Sequence, residues 1–234
     1  MNLIRPNCRE QLTNEDVEFI IEALGTAHDR NFLSDLLTDP EIRDLILDQD
    51  KLRSAILDNP HFLHITPHLY FYVLVRQTMK RAGIDDRELA DYVAEVLADF
   101  STTDSQRQAL PDNVKDSSYL FEMMAALQEA DDQTAFQIRA HIGNRSLFMT
   151  GIFAENLRER TRRRGAPDIS YYEQMGAANF RAASHHRLAD EFEVSRVFET
   201  LGERFHDARL ALNEMQERYL SIGEIEPPAS LLLN

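Results

Sequence analysis

Apolar side chains recur at alternating spacings of four and three residues along the C-terminal part of the chain. The series consists of Val194, Phe198, Leu201, Phe205, Ala208, Leu212, Met215 and Tyr219. A sustained period of 3.5 residues is typical of a long helix that packs lengthwise against other helices. We therefore predict a helix over residues 190–221. Its eight heptad positions, here named the heptad seam, extend over roughly 40 Å.

Proline, glycine and short polar residues divide the rest of the chain into segments of helical length. The pairs Asp39-Pro40 and Thr66-Pro67 are typical helix starts, because proline is favoured at the first helical position. Capping boxes are predicted at residues 13–16, 85–88 and 170–173. Helix ends are predicted at the glycines Gly25, Gly83, Gly143, Gly165 and Gly223. No window combines strict apolar alternation with β-branched residues and turn dipeptides, so strands are not expected.

These signals predict an all-α protein, a multi-helix bundle with a long C-terminal helix and an N-terminal layer of short helices. The predicted helices cover residues 14–24, 29–38, 40–48, 51–58, 67–82, 86–100, 118–129, 132–142, 145–164, 171–187 and 190–221. We interpret the chain as a single domain over residues 1–234. Within it, residues 1–60 form the short-helix layer, 61–223 the main bundle and 224–234 a tail.

The helix predicted after Pro67 is apolar on all sides, because residues 69–75 are an unbroken apolar and aromatic run. Such a helix is buried, and the hydroxyls of its tyrosines then need hydrogen-bond partners. Arg76 lies one turn from Tyr72. We therefore predict that Arg76 is buried against a tyrosine or a carboxylate.

Three glycines, Gly151, Gly176 and Gly202, lie inside predicted helices and not at their ends. Each costs about 1 kcal/mol relative to alanine unless it allows a contact that a side chain would prevent. Close packing of helices is the simpler interpretation. The alternative is that the small residues around Gly176 leave room for a ligand.

The charge balance narrows the class of partner. The chain of 234 residues has 25 lysines and arginines against 40 aspartates and glutamates, a net charge of −15. This charge repels phosphate backbones and anionic membranes, so neither nucleic acid nor a membrane is expected as a partner. No stretch approaches the ~20 apolar residues of a membrane span, and the first residues lack the apolar segment of a signal peptide. We therefore expect a cytoplasmic protein.

Three histidines, His61, His64 and His68, lie within eight residues at a predicted helix start. Neutral imidazole is a common ligand of transition metals, so these side chains are candidates for one metal site. The prolines at positions 60 and 67 constrain the backbone, and the run contains no carboxylate. The alternative is a turn whose histidines cap helix ends.

A second pair of candidate metal ligands is Glu203 and His206, in the sequence Glu203-Arg204-Phe205-His206 on the long C-terminal helix. This Glu-x-x-His spacing resembles that of the di-iron carboxylate bundles of the ferritin-like and haem-oxygenase-like kinds. The resemblance implies a helical bundle that binds iron. A ferritin-like site requires a second Glu-x-x-His, which this sequence lacks. Both residues also lie off the heptad seam, which favours a solvated or inter-helix salt-bridging pair.

The basic run at residues 158–164 contains five arginines in an otherwise acidic protein. Arginines at the end of a helix offset the negative end of its dipole and reach the last carbonyl groups. We interpret the run as a helix terminus, with an anionic ligand or an acidic partner segment as the alternative.

Two functional hypotheses follow. The first is a cytoplasmic interaction or regulatory protein without catalytic activity, which binds protein, either itself or another helical partner. A homo-oligomer formed through the heptad seam and the leucine-rich tail is expected; the alternative is a seam inside the bundle of one chain, with the tail folded back onto its own core. The second is a metal- or haem-dependent oxidoreductase with iron, zinc or haem inside the bundle. It would use His61, His64 and His68, or Glu203 and His206.

Overall fold

The computed structural model describes residues 3–25, 36–58, 64–101 and 116–220, with the backbone alone for 116–119. These residues form α-helices, a 3-10 helix at Cys8–Glu10 and no strand, which confirms the predicted all-α class. The α-helices are α1 (Asn14–Leu24), α2 (Pro40–Leu47), α3 (Asp50–Asp58), α4 (Pro67–Arg81), α5 (Arg87–Ser101), α6 (Asp116–Ala126), α7 (Asp132–Ile152), α8 (Ala154–Arg164), α9 (Ile169–Ser184), α10 (Arg187–Glu191) and α11 (Ser195–Tyr219). Within the described ranges, no helix has the length and apolar character needed to cross a membrane.

Local signals place several helix starts where the sequence predicts them. Thr13 and Asp16 form the capping box of α1, with each side chain accepting from the other residue's backbone N–H. Asp39 caps α2 and Thr66 caps α4, each directly before a proline at the first helical position. These starts depend on residues within one helical turn, so they can be predicted from the sequence.

Two predicted capping boxes are wrong, because a neighbouring aspartate takes the role. Asp86, and not Asp85, caps α5, where its Oδ1 accepts from two backbone N–H groups at 3.0 Å. Asp168, and not Ser170, caps α9. In each case a carboxylate near the predicted start accepts the N–H groups that the helix itself leaves without partners.

The predicted helix end at Gly143 is also wrong, because α7 continues through this residue to its end at Ile152. A Cβ at position 143 would lie 2.7 Å from the ring of Phe180, so the glycine allows α9 to approach α7. Three other predicted ends are confirmed by positive φ values at Gly25, Gly83 and Gly165. Gly223 and the tail lie outside the described residues.

The glycines inside the predicted helices lie where helices cross, which confirms close packing as their role. A Cβ at Gly176 would lie 2.4 Å from the ring of Phe205, and one at Gly151 would lie 2.7 Å from Leu212. A Cβ at Gly202 would lie 3.1 Å from the nearest atoms of α9. Since real Cβ contacts are longer, a side chain at Gly151 or Gly176 would require the neighbouring helix to shift, and one at Gly202 would require a smaller shift.

The heptad seam is buried inside the bundle. Its first seven residues are at most 3 % exposed. Helix α11 contacts α7, α9, α4 and α5. The expectation that the seam joins two copies is therefore wrong, because its apolar side chains already contact helices of the same chain. Self-association by another surface stays a prediction.

The long C-terminal helix is less regular than the heptad predicts. The chain turns between α10 and α11 at Glu193, whose φ is +59°. Helix α11 then bends at Arg204, where φ is −113° and ψ is 26°. At the bend the carbonyl of Gly202 accepts from Arg181 Nη2 at 2.6 Å. This bond ties α9 to α11 next to the bend.

The short N-terminal helices cover one end of α4 and α5. Helix α1 contacts α3, α3 contacts α4, and the 3-10 helix lies against both α4 and α5. Asp16 holds this layer to α4. Its carboxylate accepts from the backbone N–H of Thr66 at 2.7 Å and from the Thr66 hydroxyl at 2.9 Å, in addition to its bonds with Thr13. One buried carboxylate therefore joins the cap residues of two helices.

Candidate functional site

A polar cleft with a volume of about 510 Å³ lies where the ends of α2 and α4 meet the start of α5. Its basic side chains are Arg9, Arg76, Lys80, Arg87 and Arg196. Its acidic side chains are Asp44, Asp48, Asp85, Asp86 and Glu88. We refer to it as the charged cleft. Five groups of each sign make it locally neutral on a chain whose net charge is −15.

The elements around the cleft explain why these residues meet. Asp48 is the C-terminal cap of α2 and therefore lies at the end of that helix. Arg76 and Lys80 lie one turn apart at the end of α4 and therefore share a face. The chain then reverses at Gly83, whose φ is +77°. This reversal brings Asp85 and the start of α5 back towards α4.

Asp48 is the carboxylate that joins the two arginines of the cleft. Its Oδ1 accepts from Arg76 Nε at 3.0 Å, and its Oδ2 accepts from Arg76 Nη2 at 3.2 Å and from Arg87 Nη2 at 2.9 Å. Burial opposes the ionisation of Asp48, but the bonds from Arg76 and Arg87 outweigh it and lower the pKa of this carboxyl. Asp48 therefore stays charged at neutral pH.

Arg76 is buried against carboxylates, which confirms the prediction from the sequence. Its side chain is 3 % exposed and contacts both Asp48 and Asp85. Within the described residues, Arg76 Nη1 is buried and has no hydrogen-bond partner. Tyr72 is not its partner. The ring of Tyr72 instead lies under the guanidinium of Arg9, whose Cζ is 5.6 Å from the ring centroid.

Arg9 closes the inner side of the cleft. Its backbone N–H donates to Asp91 Oδ1 at 2.9 Å, its Nε lies 3.2 Å from Asp91 Oδ2, and its Nη1 donates to Asp44 at 2.6 Å. Asp91 is 1 % exposed. Burial raises the pKa of Asp91 to about 6, although Arg9 acts in the opposite direction. Arg9 thus ties the N-terminal segment to α5 through a buried carboxylate.

A second polar group lies behind Arg9, between the N-terminal segment and α4. Glu95 accepts from Gln11 Nε2 at 3.0 Å, and His68 Nε2 lies 3.5 Å from the same carboxylate. The bond with Glu95 raises the pKa of His68, although burial opposes this. Cys8 is fully buried and donates from Sγ to the backbone carbonyl of His68 at 3.3 Å. Burial raises the pKa of the Cys8 thiol well above its ordinary value, so it stays protonated.

The histidines at positions 61, 64 and 68 are not brought together by the described residues. His61 lies outside them, and His64 is exposed in the turn before α4. His68 pairs with Glu95 on α5 instead of capping a helix end. In the ranges that the structure describes, no group of three or more His, Cys, Asp or Glu side chains could hold a metal ion.

Glu203 and His206 behave as the salt-bridging interpretation predicts. Glu203 is exposed, and His206 Nδ1 lies 2.9 Å from Glu173 Oε1 on α9. Arg209 Nε also donates to Glu173 Oε1. His206 therefore belongs to an ionic contact between α9 and α11, whereas Glu203 faces solvent.

This contact continues to the end of α7. Arg209 Nη1 donates to Asn213 Oδ1 at 2.6 Å, and Asn213 Nδ2 donates to the carbonyls of Thr150 at 2.8 Å and Gly151 at 2.7 Å. These carbonyls belong to the last turn of α7, where the helix itself no longer supplies enough donors. The network is structural, since it ends one helix and holds two others to it.

The basic run ends helix α8, as predicted. Gly165 follows it in the left-handed conformation, with φ of +62°. Arg158 pairs with Glu155 at 3.1 Å, and Arg163 pairs with Glu159 at 2.6 Å. The acidic partners on the same helix thus offset part of its positive charge.

Sequence reasoning missed the charged cleft, because its partners are far apart in the chain. Asp48 and Arg76 are 28 residues apart, and Arg9 and Asp91 are 82 residues apart. One signal was present. An arginine in an otherwise apolar helix requires a buried carboxylate, and Asp48 and Asp85 both lie at predicted helix boundaries.

No protein-family model, curated protein or solved structure matches this chain.

Proposed function

We propose that this chain is a cytoplasmic interaction or regulatory protein without catalytic activity, and that the charged cleft is the surface that binds a partner protein. The observation that carries the proposal is the pairing of fixed charges in the cleft. Arg76 and Arg87 hold Asp48 between them, and Arg76 also contacts Asp85.

Fixed charges suit recognition better than proton transfer. A general acid or base works best when its pKa lies near the operating pH. The pKa of Asp48 is lowered because the bonds from its two arginines outweigh the effect of burial, and the pKa of Asp85 is lowered chiefly by the bond from Arg76. Both carboxyls therefore stay ionised at neutral pH. Asp91 has a pKa nearer neutrality, but it is buried with both oxygens held by Arg9. The cleft is therefore built to present charge.

The charge pattern supports a protein partner that carries charged side chains. Complementary charges across an interface determine which partner binds and how fast it associates. The rim of the cleft holds long basic side chains, such as Arg196, which is 75 % exposed and lies 3.1 Å from Asp86. An exposed ion pair of this kind contributes little to folding, so it can exchange its partner for one on another protein.

Self-association stays part of the proposal, but it requires a surface other than the heptad seam. The seam lies in the hydrophobic core, and opening it would expose the contacts of α11 with α7 and α9. Light scattering at ~100 μM tests this expectation directly. A monomer at that concentration would leave binding of a different protein as the role of the chain.

The proposal is tested by affinity capture with quantitative mass spectrometry. The cleft variant carries Lys80→Glu and Arg196→Glu, and the control carries Arg162→Glu and Arg163→Glu on the end of α8. Both variants change the net charge equally on exposed side chains. We expect at least one protein captured by the wild type and the control to fall about tenfold or more with the cleft variant. Equal capture by all three chains would overturn the proposal.

A further inference from the structure

The two edges of the Arg76 guanidinium are used very differently. Asp48 takes the edge formed by Nε and Nη2, with two bonds of 3.0 and 3.2 Å. On the other edge, formed by Nη1 and Nη2, Asp85 contacts Nη2 alone. Nη1 is buried and has no hydrogen-bond partner among the described residues. This edge could donate two parallel bonds to one oxyanion, the strongest arrangement that a guanidinium makes.

Asp85 is a weak occupant of that edge. Its side chain is 67 % exposed, and it belongs to the turn between α4 and α5 and to neither helix. Although Arg76 is buried, the Asp85 carboxylate is largely solvated, so water can replace part of what it loses on leaving the arginine. Asp85 can therefore leave Arg76 without unfolding either helix, and its departure frees Nη2 for another acceptor, beside the Nη1 that has no partner among the described residues.

We infer that the charged cleft binds an oxyanion, a carboxylate or a phosphoryl group, through the Nη1 and Nη2 atoms of Arg76, and that Asp85 occupies this position in the free protein. The inference deepens the proposed function and rests on it, since the oxyanion is the group by which a partner is held. The incoming group makes two bonds where Asp85 makes one.

The neighbouring charges favour this exchange. Lys80 lies one turn from Arg76 and also lines the cleft. The pKa of Asp85 is lowered chiefly by the bond from Arg76 and in smaller part by the charge of Lys80. When Asp85 leaves, the cleft retains five basic side chains against four acidic ones. The local excess of positive charge then attracts an anion, although the whole chain is strongly acidic.

The test measures binding of inorganic phosphate and of succinate by isothermal titration calorimetry at constant ionic strength. Asp85→Asn removes the competing carboxylate with little change in size. Glu155→Gln is the matched control, because it also removes an exposed carboxylate from an arginine pair. We expect Asp85→Asn to lower the Kd at least about threefold and the control to leave it unchanged. Equal Kd values for the two variants would overturn the inference, as would no binding to any chain at ~10 mM.

Loss of the basic groups gives the opposite expectation. Arg76→Lys keeps the charge but removes the two-pronged donor, so phosphate binding is expected to weaken about tenfold. If this variant does not fold, Lys80→Gln serves instead, because Lys80 is exposed at the end of α4. Its Kd should rise about threefold. Unchanged phosphate binding by Lys80→Gln would place the anion outside the cleft.

The source of the oxyanion is decided with N-acetyl-phosphoserine amide and N-acetyl-glutamate amide as further ligands. Binding of either one supports a group carried by a partner protein. Binding of inorganic phosphate alone would instead assign the cleft to a free anion. If the capture experiment fails but phosphate still binds, the proposed partner protein is rejected and the oxyanion site is supported. If capture depends on the cleft but no oxyanion binds, the partner protein is supported and the oxyanion site is rejected.

Discussion

Asp16→Ala tests whether one buried carboxylate joins the N-terminal layer to α4. Asp16 is fully buried, and its two oxygens accept four hydrogen bonds. Two donors are the backbone N–H groups of Thr13 and Thr66, which begin α1 and α4. The other two are the hydroxyls of the same threonines. Alanine removes every acceptor at once and leaves a space where the carboxylate lay.

The magnitude follows from the two backbone groups. Each of the two part-buried N–H groups loses a hydrogen bond to a charged acceptor, which contributes about 1.5–3 kcal/mol, whereas the two hydroxyls can rotate towards other acceptors. The expected loss in the free energy of unfolding is therefore about 4 kcal/mol. For a chain of this size, such a loss lowers Tm by roughly 8–16 °C. Asp16→Asn keeps one acceptor oxygen and is expected to lose about half as much.

Urea unfolding followed by circular dichroism measures the effect. Glu15→Ala is the control, because Glu15 lies in the first turn of the same helix but is exposed. Its loss removes only a favourable contact with the helix dipole, about 0.3–1 kcal/mol. If the free energies of unfolding of Asp16→Ala and Glu15→Ala differ by less than about 1 kcal/mol, the carboxylate does not hold the two helix starts together.

Three further outcomes are expected. Glu193→Gly should raise the free energy of unfolding by about 0.5–1 kcal/mol, because glycine adopts a φ of +59° without strain; a loss measured in urea would contradict this. Phe205→Asp should unfold or aggregate the chain by circular dichroism and light scattering, since it buries a charge in the core at a cost of about 4 kcal/mol or more; a folded monomer would contradict the internal seam. The raised pKa of His68 means that its contribution to stability is complete below pH 6.5 and is lost as pH rises through the raised value. The wild type should therefore lose more stability than His68→Gln over that range of pH. If the free energies of unfolding of the two chains fall in parallel with pH, His68 does not contribute in this way.

The oxidoreductase hypothesis has a direct test of its own. Elemental analysis and an absorption spectrum of the purified chain detect iron, zinc or haem at a stoichiometric level. Such a result would favour that hypothesis over the proposed binding protein. It would also mean that residues other than the His68–Glu95 and His206–Glu173 ion pairs supply the metal ligands.

The sequence by itself determined the all-α class, most helix starts and several helix ends. The box of Thr13 and Asp16 and the caps Asp39 and Thr66 act on N–H groups within one turn, so their effect does not depend on the rest of the fold. The burial of Arg76 could also be predicted, because its helix is apolar on all sides. These properties depend on neighbours in the chain, which a sequence shows directly.

Only the tertiary structure decided where the helices break and which charges meet. Helix α7 passes through Gly143 because Phe180 packs against it, and it ends where Asn213 from α11 binds its last carbonyls. The charged cleft likewise depends on Asp48 and Arg76 meeting across 28 residues. A carboxylate can pair with any arginine that the fold brings near, so the packing of the helices, and not the order of the residues, selects the pairs that form.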